Sequence, residues 1–321
     1  MESTYTLYGS YASYYTAKVR CYLRKKSIPF VERLPSSPQF REMVRPNSGT
    51  HRIPQLATPE GLVLQDSVAI VDYLEERFPD LPAFPTTPKQ RLAVHLMELL
   101  GSEGLVQLAW KHRWYFAGND HFVKMDFGRS FRPQGTDEEL VHYGNVIAER
   151  MLSRGKLDIS DAARAQLDEE FIALLSLLEA HFTSHPYLLG GHPSAADYAI
   201  MGAMHAHLGR DPVPLQTMQN HAPRTFRWVE HMLTPEVIAP EFFAEPVAYP
   251  DGDALPDTFI ALLQHLVAQY GEHFTRNAQI WTQAAQQDGL APGQSMTEAG
   301  QQPQYSLQSA QQTDRPAPTC N

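Results

Sequence analysis

Two short stretches hold the residue types best suited to binding a small charged ligand. Arg52-Ile53-Pro54-Gln55-Leu56 reads as a β-strand entered through an X-Pro bond. Gln65-Asp66-Ser67-Val68-Ala69-Ile70 reads as a strand end running into a capped helix. Thr58-Pro59-Glu60-Gly61 between them supplies the Pro and Gly of a tight turn, so the unit is a hairpin followed by a helix. Asp66 and Ser67 are good N-cap residue types at the head of an apolar-periodic run. A helix start carries unpaired N–H groups and partial positive charge, which equips it to hold a carboxylate. Upstream, Ser10-Tyr11-Ala12-Ser13-Tyr14-Tyr15-Thr16 is a loop dense in hydroxyl donors.

These stretches need a scaffold, and the flanking pattern provides one. Tyr5 to Gly9 alternates and is rich in β formers, predicting a first strand. Val19, Tyr22, Leu23 and Lys26 fall at helical spacing after the hydroxyl loop, and Ile28 to Leu34 reads as a second strand. A crossover helix between them makes those two strands parallel. A polar, Pro-containing stretch from Pro35 to His51 leads to the hairpin, and a third helix is expected from about Ser67 to Phe78. The order βαβ then ββα is that of a thioredoxin-like α/β domain. Residues 78–88 are Pro-rich and read as a linker.

Beyond the linker the pattern is helical. Gln90 to Trp114 is expected as one long helix, Ala162 to Phe182 as a strongly amphipathic one, and Leu255 to Thr275 as the last. Another helix starts after Pro223. Ser194-Ala195-Ala196-Asp197 is a capping-box variant opening an apolar helix from Tyr198 to Leu208, and its role is read as structural. Residues 118–155 are more polar and irregular and read as an insertion or mobile segment. From about Gln283 the chain is Gln-, Ala-, Pro-, Ser- and Gly-rich and is expected to be disordered. The expected organisation is therefore an α/β domain over 1–80, a linker over 81–88, an all-helical domain over 89–282 and a tail over 283–321.

Ile53-Pro54 and Asp66-Ser67, in this order and inside this pattern, resemble the glutathione site of the cytosolic glutathione transferases. The resemblance covers residues 4–80 and extends to the Ser194/Asp197 box, which sits deep in the helical domain of that family. It points to a bacterial-type branch with serine or cysteine at the active position and an extended C-terminal domain. It implies a cis Pro54, binding of the cysteinyl part of glutathione by the backbone before it, and binding of the γ-glutamyl end by Asp66 and Ser67. The family more often has Glu before that serine. Arg52, with His51, is placed to reach the glycyl carboxylate.

The chemistry the resemblance implies is thiol activation by a hydrogen-bond donor after the first strand. Matching the family's Arg-Val-Arg to Lys18-Val19-Arg20 puts Ser13 on the catalytic serine, although Tyr14 stands where Pro is usual. Ser10 and Thr16 are alternative hydroxyls, and Tyr8, Tyr11, Tyr14 and Tyr15 keep a tyrosine-type mechanism open. Tyr11, Trp110 and Trp114 are candidates for the electrophile pocket. Glutathione as co-substrate, a small hydrophobic electrophile, a detoxification role and a homodimer follow from the resemblance alone. The alternative is a non-catalytic glutathione- or partner-binding protein on the same fold. A glutathione-dependent reductase would need a reactive cysteine in residues 10–16, which contain none.

Composition narrows the classes further. A net charge of −10 argues against nucleic acid as a partner. No apolar run approaches the roughly 18 residues of a membrane helix, and the first residues show no secretory signal. Cys21 and Cys320 suggest no disulfide framework, so a reducing cytoplasm is the expected setting. Cys21 lies inside a helix among apolar residues and is read as inert. The 14 histidines show no metal-ligand spacing, so no metal is expected; His205 and His207 are two apart and face different ways on a helix.

Overall fold

Strand β1 (Tyr5–Tyr8) and strand β2 (Phe30–Arg33) run parallel because helix α1 (Tyr14–Lys25) carries the chain back between them. This and all that follows is drawn from a computed structural model that describes residues 4–155 and 160–287. Strands β3 (Gln55–Ala57) and β4 (Val63–Gln65) pair antiparallel across a turn where Gly61 takes φ 91°. The sheet order is β2-β1-β3-β4, and helix α3 (Ser67–Glu75) follows β4, completing a thioredoxin-like unit. Leu7, Val19, Tyr22, Leu23, Leu56, Ile70 and Leu74 form its buried centre. The stretch before the hairpin contains a π-turn, Phe40–Val44, and short helix α2, Arg45–Ser48. Phe40 and Val44 close a small satellite core against Tyr8.

Register fixes what shares an edge. Tyr8 lies opposite Gln55, and Gln55 opposite Gln65. The end of β1, the start of β3 and the end of β4 therefore meet at one rim of the sheet. The hydroxyl loop, the Ile53–Pro54 bond and the start of α3 all attach to that rim.

The rest is helical: α4 (Pro88–Leu99), α5 (Val106–Trp114), α6 (Asp120–Phe131), α7 (Asp137–Gly155), α8 (Asp161–His181), α9 (Ala195–Ala203), α10 (Pro212–His221), α11 (Pro223–Met232) and α12 (Asp257–Gln287). The single helix expected over 90–114 is interrupted by a π-turn at Leu100–Gly104, where two glycines weaken regular helix and Ile200 of α9 presses on Gly101. A second π-turn, Met204–Leu208, prolongs α9.

Two expectations are corrected. Residues 118–155 are not irregular: they fold mostly as a hairpin of α6 and α7. A Cβ on Gly128 would stand 2.1 Å from the Leu140 carbonyl oxygen, and one on Gly144 would stand 2.3 Å from that of Lys124. The two backbones touch at glycines instead of joining through a broad apolar stripe, which is why the pattern reads as polar. The last helix also runs past Thr275 to Gln287, so 283–287 are helical and not tail. The Ala and Gln there are good helix formers extending a helix already nucleated. The rest of the tail expectation, over 288–321, lies outside the described residues. No described helix is long and apolar enough to cross a membrane.

Candidate functional site

Ser13 is the N-cap of α1, with extended backbone (φ −85°, ψ 122°). Its Oγ accepts the Thr16 N–H at 3.3 Å and the Thr16 hydroxyl at 2.8 Å. Both contacts use its lone pairs, so its own O–H proton has no acceptor among the described residues. Ser13 is half-buried at the positive end of a twelve-residue helix, where a donor faces whatever anion arrives.

Most of the neighbouring hydroxyl residues are buried or bonded elsewhere. Tyr14 is buried and donates to the Gly101 carbonyl at 2.5 Å. Its ring fills the space above Gly202, where a Cβ would come within 2.5 Å of it, and lies edge-on to His207. Tyr14 thus replaces the family's proline with an anchor into the helical unit. Tyr15 donates to Glu103 at 3.1 Å. Tyr8 is buried against Phe40, and burial raises its phenol above the usual value. Thr16 already donates to Ser13, and Ser10 is buried with its carbonyl accepting from Arg20 at 3.0 Å.

The loop is gripped from both units. Arg20 forms two hydrogen bonds to Glu32 of β2 (2.7 and 2.6 Å). Arg113, at the end of α5, donates to the Ala12 carbonyl at 2.7 Å and pairs with buried Asp211 at 2.7 Å. Lys18 is buried on Glu98 at 2.7 Å. Cys21 is fully buried and burial pushes its thiol up to about 12, so it offers no nucleophile.

Across the rim, the Ile53–Pro54 bond is cis. Gln55 is buried, and its side-chain amide donates to the Thr50 and Arg52 carbonyls at 3.0 and 2.8 Å, shaping the approach. Ile53 makes no main-chain hydrogen bond with the described residues outside regular elements, so its N–H and C=O form an open edge. Asp66 is the N-cap of α3 and Ser67 its first residue. Asp66 is held at φ 86°, which costs about 1–3 kcal/mol for a side-chain-bearing residue. Its carboxylate offsets this by accepting from Val68 N–H at 2.8 Å and Ala69 N–H at 3.4 Å. Ser67 is buried and its hydroxyl makes no hydrogen bond with the described residues. Arg52 is exposed on the loop leading in, and His51 meets Arg150 of α7 at 3.3 Å.

The aromatic candidates separate. Tyr11 is exposed, its hydroxyl accepts from Arg24 at 3.1 Å, and the Arg20 guanidinium lies 4.1 Å from its ring centre. Trp114 instead stacks on Phe127 of α6 at 5.6 Å, and Trp110 packs against the main core. Residues the sequence reading missed take the place beside Tyr11. Arg210 lies 5.8 Å from its ring and 5.0 Å from that of Phe122, and is fixed by two hydrogen bonds to Asp126 (2.5 and 2.7 Å). No sequence signal pairs residues 84 positions apart on such different segments.

His205 and His207 do separate: His205 faces Tyr11 and His207 faces Tyr14, both held neutral by burial, His205 down to about 3. Among the described residues no group of three or more His, Cys, Asp or Glu is placed to hold a metal ion.

Two family profiles match the chain in order. One described as "Glutathione S-transferase, N-terminal domain" covers residues 7–83, and one described as "Glutathione S-transferase, C-terminal domain" covers 161–203. Among solved structures, beta-etherase LigF from Sphingobium sp. strain SYK-6 is similar at 19% identity and TM-score 0.51, over 75% of this chain and 99% of that one. A glutathione S-transferase from Methylobacterium radiotolerans, in complex with glutathione sulfonate, is similar at 21% identity and TM-score 0.42, over 77% and 96%. A glutathione transferase from Phanerochaete chrysosporium is similar at 16% identity and TM-score 0.45, over 84% and 99%. No curated protein matches the sequence.

Proposed function

For a chain that belongs to the glutathione transferase superfamily, we propose glutathione-dependent transfer to a small hydrophobic electrophile, with Ser13 activating the thiol. The observation that carries the reading is the Ser13 hydroxyl: its lone pairs are held by Thr16 and its proton is left to give, at the start of α1. That rim also carries the open Ile53 main chain beside cis Pro54 and the Asp66-capped start of α3. Ile53, Pro54, Asp66 and Ser67 suit an extended peptide, and Arg52 stands on the approach.

Free thiols titrate near ~8.5, so only a few per cent is thiolate at neutral pH. A hydrogen bond donated to sulfur and a nearby helix N-terminus both favour thiolate. The sulfur lone pair then forms the C–S bond as the leaving group departs with its bonding electrons, and the thiol proton goes to solvent. Tyr11, Phe122 and Arg210, grouped by their ring contacts, are proposed to border the electrophile, with Trp110 and Trp114 as further candidates. A cytoplasmic detoxification role in a homodimer completes the proposal. The exposed stripe Leu92, Leu96 and Leu99 on α4 supports a second copy as the face's occupant, and sedimentation of the Leu96→Glu variant tests it.

Calorimetric titration with reduced glutathione, paired with thiolate absorbance of the complex, tests the central reading. Saturable binding with a lowered thiol pKa that rises toward the solution value in Ser13→Ala is the expected result. Saturable binding without turnover against any electrophile would move the assignment to a binding protein on this fold.

A further inference from the structure

Tyr11 stands two residues ahead of Ser13 with its ring exposed, and positive charge gathers on it from two segments far apart in sequence. Helix α1 presents Arg20 and Arg24 four residues apart, on one face. The Arg20 guanidinium lies 4.1 Å from the Tyr11 ring centre. Arg24 donates to the Tyr11 hydroxyl at 3.1 Å and to the Leu233 carbonyl at 3.0 Å. Just past the π-turn that prolongs α9, Arg210 lies 5.8 Å from the same ring and 5.0 Å from that of Phe122. His205, within that turn, meets the Tyr11 ring edge-on at 6.1 Å.

The charges here do not balance. Glu32 answers Arg20 and Asp126 answers Arg210, but Arg24 meets no carboxylate among the described residues. One guanidinium charge is left over, in a chain whose net charge is −10. Two buried atoms add to this. Nη1 of Arg20 and Nε2 of His205 have no hydrogen-bond partner among the described residues, on residues that are 0% and 5% exposed. Burial, and then the charges of Arg20, Arg210 and Arg24, hold His205 neutral, so it adds no charge yet can donate from Nε2 in one tautomer. A buried donor without an acceptor is unfavourable, and an arriving anion relieves it.

A purely apolar electrophile would lie on Tyr11 and Phe122 and leave this charge unanswered. We infer that the electrophile of the proposed reaction is an aromatic acid, its acidic group held beside Tyr11 by Arg24 and Arg210. Arg20 and His205, at the face and edge of the Tyr11 ring, supply further donors as that ring shifts to admit the group. A guanidinium matches both oxygens of a carboxylate. Tyr11 and Ser13 are two residues apart, at most about 7 Å along the chain. That is roughly the reach of a benzene ring with the sulfur at one end and a carboxylate at the other. The inference rests on the proposed glutathione-dependent transfer and narrows its second substrate.

The experiment uses two synthetic glutathione conjugates, so that binding is read without turnover. Each carries the sulfur on a dinitrophenyl ring, with a para carboxylate in one and its methyl ester in the other. Calorimetry compares them on the full-length protein, on Arg24→Gln and on Arg24→Glu, with thermal melting to confirm that each variant is folded. Arg24 has no carboxylate partner among the described residues, so neither change strands a buried acid. The unmodified protein is expected to prefer the acid over the ester by about tenfold or more, the scale of one charge-assisted hydrogen bond. Arg24→Gln should lose most of that preference, and Arg24→Glu should reverse it. A merely structural role for Arg24 would weaken both conjugates alike and keep their ratio. Equal binding of the two conjugates by the unmodified protein, or an unchanged ratio in both variants, overturns the inference and leaves glutathione binding standing. Failure to bind either conjugate or glutathione itself overturns both.

Discussion

Ser13 and Ser194 each begin a helix, and the direction of one proton separates them. Ser13 Oγ receives hydrogen bonds from Thr16 and keeps its own hydrogen for something else. Ser194 Oγ gives its hydrogen to Asp197 at 2.9 Å, and the same carboxylate accepts the Ser194 N–H at 2.8 Å and the Leu188 N–H at 2.9 Å. Ser194 and Asp197 are fully buried, whereas Ser13 is half-buried at the sheet rim. The same local device is thus sealed in one unit and open in the other. On the proposed reading, what would distinguish folding from chemistry is whether the hydroxyl's donor capacity is already used.

Four variants can break or sharpen that contrast. Asp197→Ala leaves three buried donors unpaired and should cost on the order of 4 kcal/mol of stability, read by urea unfolding. Its folded fraction should still bind glutathione; loss of binding there would make the box part of the site. Ser13→Ala should lower turnover about 10²–10³-fold while costing only about 1 kcal/mol of stability. A Ser13→Ala protein that unfolds as readily as Asp197→Ala, or turns over normally, would erase the distinction.

The third test uses pH. Burial raises the Asp197 carboxyl from 3.8 to about 6. A carboxyl with a raised folded pKa contributes stability that is fully present below pH ~4 and lost as pH rises through about 6. The loss is about 3 kcal/mol across that window. Asp197→Asn should remove that slope from urea midpoints taken at successive pH values, whereas Ser13→Ala should keep it. The smallest effect is expected for Asp66→Asn, which retains the cap oxygen but not the charge. Stability should change by about 0.5 kcal/mol. Glutathione affinity should fall about tenfold through the lost partner for the ligand's amino group, and an unchanged affinity would remove Asp66 from the site.

The sheet rim was legible because it is built from local signals. An X-Pro bond before a strand, a Pro/Gly turn and an acidic-Ser cap each declare themselves within a few residues, and the family resemblance then singles out Ile53, Pro54, Asp66 and Ser67 among them. Ser13 needed a family pattern, and Tyr14 disturbed that pattern for a reason only the fold supplies: it is packed into α9 and hydrogen-bonded to Gly101. Arg113, Arg210 and Arg150 were invisible. Their partners lie 98, 84 and 99 residues away, and no periodicity encodes such pairings. The α6–α7 hairpin was misread as irregular because glycine contacts leave no apolar stripe to detect.

Tyr14 carries a consequence for how such chains can diverge. The residue that starts α1 is seated on Gly101 and Gly202, and the loop before it hangs on Arg113 and Asp211. The two halves are therefore not interchangeable parts. A chimera that takes its first 80 residues from this protein needs helices with room for Tyr14 where Gly101 and Gly202 stand here. Tyr14, Gly101 and Gly202 therefore have to be exchanged together in any such chimera.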